Sequence, residues 1–146
     1  LMIKTDKEYQ EAKKRLLSEK KSLEGQHAKL KAAGLNTDQI HLALDPLASF
    51  SLQLEEEIQE YENLMRGYFE DIINLKGIGR QLIALRIAKG LKQNELAARL
   101  GVKEPQVSRD ETNEYFGASV EKIEKVLNAL GVTATTKINP RLGNTG

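Results

Sequence analysis

The chain of 146 residues has no cysteine and only two histidines. Without cysteine there is no disulfide framework and no thiolate metal site, as in proteins of a reducing cytoplasm. His27 and His41 stand in no H-E-x-x-H setting, so no zinc site is predicted, and no other cofactor motif is present. No run approaches the ~18 consecutive apolar residues of a membrane span. The start LMIKTDKEYQ has no apolar targeting core. The expectation is a cytoplasmic protein with no membrane partner. Catalytic motifs are missing as well: there is no P-loop and no Gly-x-Ser-x-Gly, and the acidic runs at 55–57 and 60–62 meet no convergent His or Lys. No enzyme is expected.

What is present is 40% hydrophobic and 29% charged, as in a globular chain of one domain or two small ones. The net charge of +1 hides a division. Residues 1–75 hold 10 Lys+Arg against 14 Asp+Glu, whereas residues 76–146 hold 12 against 7. Within the first half, residues 1–33 carry 9 basic and 5 acidic groups and residues 34–75 carry 1 and 9. Segments of opposite sign are suited to lie side by side. Exposed pairs are each worth only ~0 to 1 kcal/mol, so charge sets orientation more than stability.

Residues 5–33 predict one long amphipathic helix, with Tyr9, Leu16, Leu23 and Leu30 every seven residues, Ala12 and Leu17 widening the stripe, and Thr5 or Asp6 as cap. In residues 33–46, Asn36, Thr37 and Asp38 are caps for a short helix ending before Pro46. A second long helix is predicted from about Pro46 to Phe69, with the stripe Leu47, Phe50, Leu54, Ile58, Tyr61, Met65 and Tyr68. Neither helix can bury its stripe alone. They either pack as a hairpin within one chain or pair with a second copy, and residues 1–75 are read as a dimerisation or partner-binding unit. Gly77 and Gly79 mark a link. A helix from about Gly79 to Lys89 then presents Leu82, Ile83, Leu85 and Ile87.

Residues 93–111, QNELAARLGVKEPQVSRDE, have the layout of two short helices around a turn. Leu96, Ala97 and Leu100 lie on the first helix, Gly101 and Val102 in the turn, and Val107 points inward from a second helix beginning near Pro105. Ala97 is small where the helices cross, and Gly101 takes the positive φ that the sharp turn demands. Residues 112–119 form a loop returning Tyr115 and Phe116 to the core. Ser119 caps a last helix, Val120 to Leu130, with Val120, Ile123, Val126 or Leu127, and Leu130 inward. The tail 133–146 begins with β-branched residues, so 132–138 are read as a short strand and the remainder as disordered.

The run Arg80 to Val132, with LRIAKGLKQNELAARLGV, PQVSR and LNALGV, resembles the Cro-like or XRE family of helix-turn-helix DNA-binding domains. MIKTDKEYQEAKKRL, EEEIQEYENLMRG and FGASVEKIEKVLNALGV also look like a branch with a helical hairpin ahead of the XRE domain, which includes HigA-type antitoxins. The resemblance implies an all-α fold: an N-terminal helical hairpin (1–75), then a four- to five-helix Cro-like bundle (76–132). It also implies a homodimer bound to double-stranded DNA at an inverted repeat. By the same resemblance Gln93, beside Lys92 and Asn94, meets a phosphate. Lys103, Glu104, Gln106 and Arg109 face outward on the recognition helix, with Ser108 nearby. Arg109 suits guanine and Gln106 adenine, Thr112 and Asn113 are candidate phosphate contacts, and Glu104 restricts sequence choice. Two positions depart from the family: Lys92 replaces a Ser or Thr cap, leaving only Glu95 of a capping box, and Asp110 stands where an apolar residue is usual. Arg80, Arg86 and Arg99 are its candidate partners. The expected function is a dimeric autorepressor. The alternative is an antitoxin whose helical half neutralises a toxin protein.

Overall fold

Two side-chain caps start the two longest helices. In the computed structural model, which describes residues 2–140, helix α1 spans Asp6–Ala32 and the Thr5 side chain accepts from the Glu8 N–H. Helix α2 spans Thr37–Met65, where Asn36 and Gln39 cap each other reciprocally. The break expected before Pro46 does not occur. Ile40 and Leu44 are buried, so the turns ahead of the proline stay helical with the rest of α2. Proline leaves the carbonyl four residues earlier without its donor, and Leu42 is 81% exposed, so that carbonyl sits on the solvent side of the helix. The helix also ends earlier than Phe69. The Tyr68 N–H turns back to the Asn63 carbonyl at 2.9 Å and closes it at Met65.

The two helices pack on each other within one chain, as a hairpin. Tyr9 and Tyr61 place ring centroids 4.9 Å apart, and the Tyr9 hydroxyl donates to Glu62 Oε1 at 2.8 Å. Lys20 Nζ lies 2.6 Å from Glu55 Oε1, a contact between the basic α1 and the acidic α2. The buried stripe of α2 is Ile40, Leu44, Leu54, Ile58, Tyr61 and Leu64. Leu17, Phe50, Met65 and Tyr68, expected in the stripes, are exposed. The α2 seam passes from Tyr61 to Leu64 instead of Met65, and Phe50 lies outside it with the Arg15 guanidinium 4.7 Å above its ring.

Four shorter helices follow: α3 Ile78–Ala88, α4 Gln93–Leu100, α5 Glu104–Thr112 and α6 Val120–Leu130. Leu82, Ile83, Leu96, Val107, Val126 and Leu130 are almost fully buried between them, and Ala97 is buried where α4 meets α5. The same apolar cluster continues through Ile3, Ala12, Ile58 and Leu64, so the base of the hairpin and the four-helix bundle share one core. Two apolar residues expected inward are exposed, Phe116 at 85% and Val120, as is Val102 in the α4–α5 turn. Tyr115 alone of its pair is buried, because Glu114 and Tyr115 both adopt positive φ and the chain reverses there, leaving Phe116 outside. Residues 132–140 form no strand, since no other extended segment among the described residues offers a partner edge. The disorder expected further along falls on 141–146, outside the described residues. No helix of the described residues is long and apolar enough to cross a membrane, and no group of His, Asp and Glu among them is arranged to hold a metal.

Candidate nucleic-acid interface

Helix α4 starts with half a cap. Glu95 accepts from the Lys92 N–H at 3.0 Å, but an ammonium has no acceptor with which to return the bond. It ends at Gly101, whose φ of 71° turns the chain into Val102 and Lys103. Helix α5 then begins at Glu104 with Pro105 in its first turn, where the missing N–H is harmless. Buried Leu96 and Val107 fix the two helices against α3 and α6, and the outer side of α5 is left to solvent.

That outer side is organised. Arg109 Nη2 donates to Gln106 Oε1 at 3.1 Å, Gln106 Nε2 donates to Asp110 Oδ1 at 3.0 Å, and Lys122 Nζ lies 2.8 Å from Asp110 Oδ2. Asp110 is therefore half-buried and paired, but with Lys122 of α6 and not with Arg80, Arg86 or Arg99. Arg80 instead reaches Glu60 and Glu114, and Arg99 donates to the Ala129 carbonyl. Both ends of the Gln106 amide are engaged, so in the free protein Gln106 braces Arg109. Lys103, Glu104 and Arg109 are exposed, and Ser108 is half-buried. Thr112 donates to the Ser108 carbonyl at 2.8 Å and Asn113 to the Phe116 carbonyl at 3.4 Å, both at the exposed end of α5.

Beneath this surface lies an ion pair. Arg86, 3% exposed, donates from Nε to Glu111 Oε2 at 2.6 Å and from Nη2 to Glu111 Oε1 at 2.8 Å; Glu111 is 0% exposed. Arg86 also donates from Nη1 to the Leu91 carbonyl and from Nη2 to the Lys4 carbonyl, each at 2.7 Å. Gln93 Nε2 completes the set by donating to Glu111 Oε1 at 2.9 Å. Four of the five guanidinium N–H groups are used in the bidentate geometry that suits arginine. The pair joins α3, the α3–α4 turn, the start of α4 and the inner side of α5, and it fixes where α5 sits. Close to it, the Tyr115 phenol is pushed well above its ordinary range, first by burial and then by the carboxylates of Glu111 and Asp110.

Residues 82–136 match the family model described as Helix-turn-helix. These residues are a Cro-like helix-turn-helix domain. No curated protein and no solved structure matches the chain. The helix-turn-helix is a DNA-binding, non-enzymatic unit, with α4 and α5 as its two motif helices.

Within the domain, Lys92, Gln93 and Asn94 gather at the start of α4 and share one cleft with Glu104 of α5. The Gln93 amide, expected to be free for phosphate, has one N–H committed to Glu111 and one remaining, so any anion there is held partly through a side chain already oriented. Sequence reasoning missed Glu111, Arg86 as its partner, and the Lys4 carbonyl. The available signal was an arginine in an otherwise apolar helix, LIALRIA, with no nearby acidic residue to satisfy it.

Proposed function

We propose that the protein is a dimeric transcriptional repressor that binds an inverted repeat near its own gene. The single observation behind this reading is the outer side of α5: an exposed Arg109 braced by Gln106, with the helix itself anchored by the Arg86–Glu111 pair. An arginine held in place loses less freedom on binding and presents two donors to the O6 and N7 of a guanine in the major groove. Lys92, Gln93 and Asn94 at the start of α4, with Lys103, Thr112 and Asn113 around α5, are the proposed phosphate contacts. Helix starts favour anions through free N–H groups and the dipole. Glu104 disfavours phosphate and selects against bases lacking an amino donor.

In a two-fold dimer the recognition helices enter successive major grooves about 34 Å apart, and the bound dimer blocks polymerase. The test is a footprint on the DNA upstream of the gene. The expected result is two protected blocks one helical turn apart and two chains per duplex. A single protected block with one chain per duplex would refute the dimeric reading.

A second reading, an antitoxin, draws on the hairpin: α2 carries seven of the chain's 21 Asp and Glu residues with no Lys or Arg among them, and exposes Leu42 and Leu52. On this reading the chain silences a neighbouring toxin protein. Co-expression with the adjacent open reading frame tests it. Growth arrest by the neighbour alone, relieved by the full chain, supports the reading, and a harmless neighbour removes it.

A further inference from the structure

The hairpin does not hang from the helix-turn-helix domain by the link at 66–77 alone. Ile3, just ahead of α1, is buried in the common core, and the Lys4 carbonyl accepts from Arg86 Nη2 at 2.7 Å. The same guanidinium holds Leu91, immediately before α4, and Glu111 on α5. One buried side chain therefore ties the segment leading into α1 to the segment leading into α4. Between them runs a cleft with Lys4 and Lys7 on one wall, and Lys92, Gln93 and Asn94 on the other, reaching Glu104 at the start of α5.

The cleft lining has a small positive excess: with Arg86 neutralised by Glu111, Lys4, Lys7 and Lys92 face Asp6 and Glu104, while Glu8 and Glu95, outside the lining, accept from the backbone N–H groups of Lys4 and Lys92. None of the three lysine side chains takes part in an ion pair or hydrogen bond among the described residues, while Asp6 accepts from Gln10 at 3.4 Å. A duplex seated on α5 passes its backbone over the start of α4, as first motif helices generally do. Lys4 and Lys7 line the same cleft as that start of α4. We infer that the DNA interface extends beyond the helix-turn-helix onto the first turn of α1, where Lys4 and Lys7 bind the sugar-phosphate backbone flanking the segment under α5. This rests on the DNA-binding reading above. It adds that the hairpin is part of the DNA-binding surface.

The salt dependence of binding counts phosphate contacts. For duplex DNA, log K falls against log salt with a slope of about −0.9 per neutralised phosphate. The full-length protein is titrated against a mixed-sequence 30-base-pair duplex over a series of salt concentrations, with Lys7→Gln, the double variant Lys4→Gln/Lys7→Gln, and Lys31→Gln as control. Lys31 lies in the last turn of α1, roughly 36 Å along the helix from Lys7 and well beyond the ~10 Å screening length at 0.1 M salt. The expected result is a slope shallower by about 0.9 for Lys7→Gln and about 1.8 for the double variant, with no change for Lys31→Gln. An unchanged slope in the double variant, or an equal loss in Lys31→Gln, overturns the inference and leaves DNA binding standing. Failure of the parent protein to bind the duplex at low salt overturns both.

Discussion

Arg86 and Glu111, 25 residues apart, form a two-point ion pair buried beneath the recognition helix, with N–O distances of 2.6 and 2.8 Å. Removing either partner leaves a buried charge with no counter-ion. Glu111→Gln, nearly isosteric, and Arg86→Met are each expected to lower the unfolding free energy by about 3–5 kcal/mol. Urea denaturation measures this. A loss below about 1 kcal/mol would mean that the pair does not hold α5.

Gly79 allows a close approach of chains. A Cβ at this buried position would collide with the Glu114 carbonyl, which is backbone and cannot rotate aside. Gly79→Ala is therefore expected to destabilise the fold by about 1–3 kcal/mol through overpacking and to displace the α5–α6 loop. Thermal unfolding reads the first effect and the Tyr115 ring environment the second. A neutral substitution would contradict the packing of α3 against this loop.

Pro46 acts in the opposite sense. It lies ten residues into α2 on an exposed face, where it omits one helical hydrogen bond without gaining a buried contact. Pro46→Ala is expected to raise stability by about 1–3 kcal/mol, following the low helix propensity of proline. A decrease would show that the proline is needed to bring α2 onto α1.

Alkaline stability follows from the tyrosines. Tyr115 and Tyr61 are raised first by burial, and Tyr9 first by its bond to Glu62. A tyrosine raised in the folded state keeps its proton where the unfolded chain, titrating near 10, has lost it. The associated stability is complete below about pH 10 and falls as pH rises through the folded values. Tyr115→Phe is expected to flatten that decline between about pH 10 and 12. Equal slopes for parent and variant would argue against burial of an ionisable phenol there.

The helix-turn-helix was legible because its signals are local: Leu96, Ala97, Gly101 and Val107 sit at fixed short spacings, and each is where those spacings place it. The recognition helix does bury a carboxylate, but it is Glu111 and not Asp110. Asp110 reaches Lys122 at the rim, and the neighbouring Glu111 is the one that turns inward. On a nine-residue helix a rotation of one position exchanges rim for core, and the deciding partner, Arg86, lies on another helix. The hairpin was legible as two amphipathic helices of opposite charge. Its closing contacts were not: the Lys4 carbonyl meets Arg86 across 82 positions, and no periodicity carries information over that distance. Phe116 and Val120 were misplaced for a related reason, since the loop's positive-φ residues redirect the chain and hydrophobicity alone does not reveal them.

On the proposed function, α5 reads DNA through Arg109. It is tested most directly by titrating the parent protein and Arg109→Ala against the DNA upstream of the gene and against a shuffled duplex of the same composition. The parent is expected to prefer the upstream DNA, and Arg109→Ala to lose about 1–3 kcal/mol of that preference while keeping salt-sensitive binding to both. A parent that binds both duplexes equally, or a variant that keeps the full preference, would contradict it.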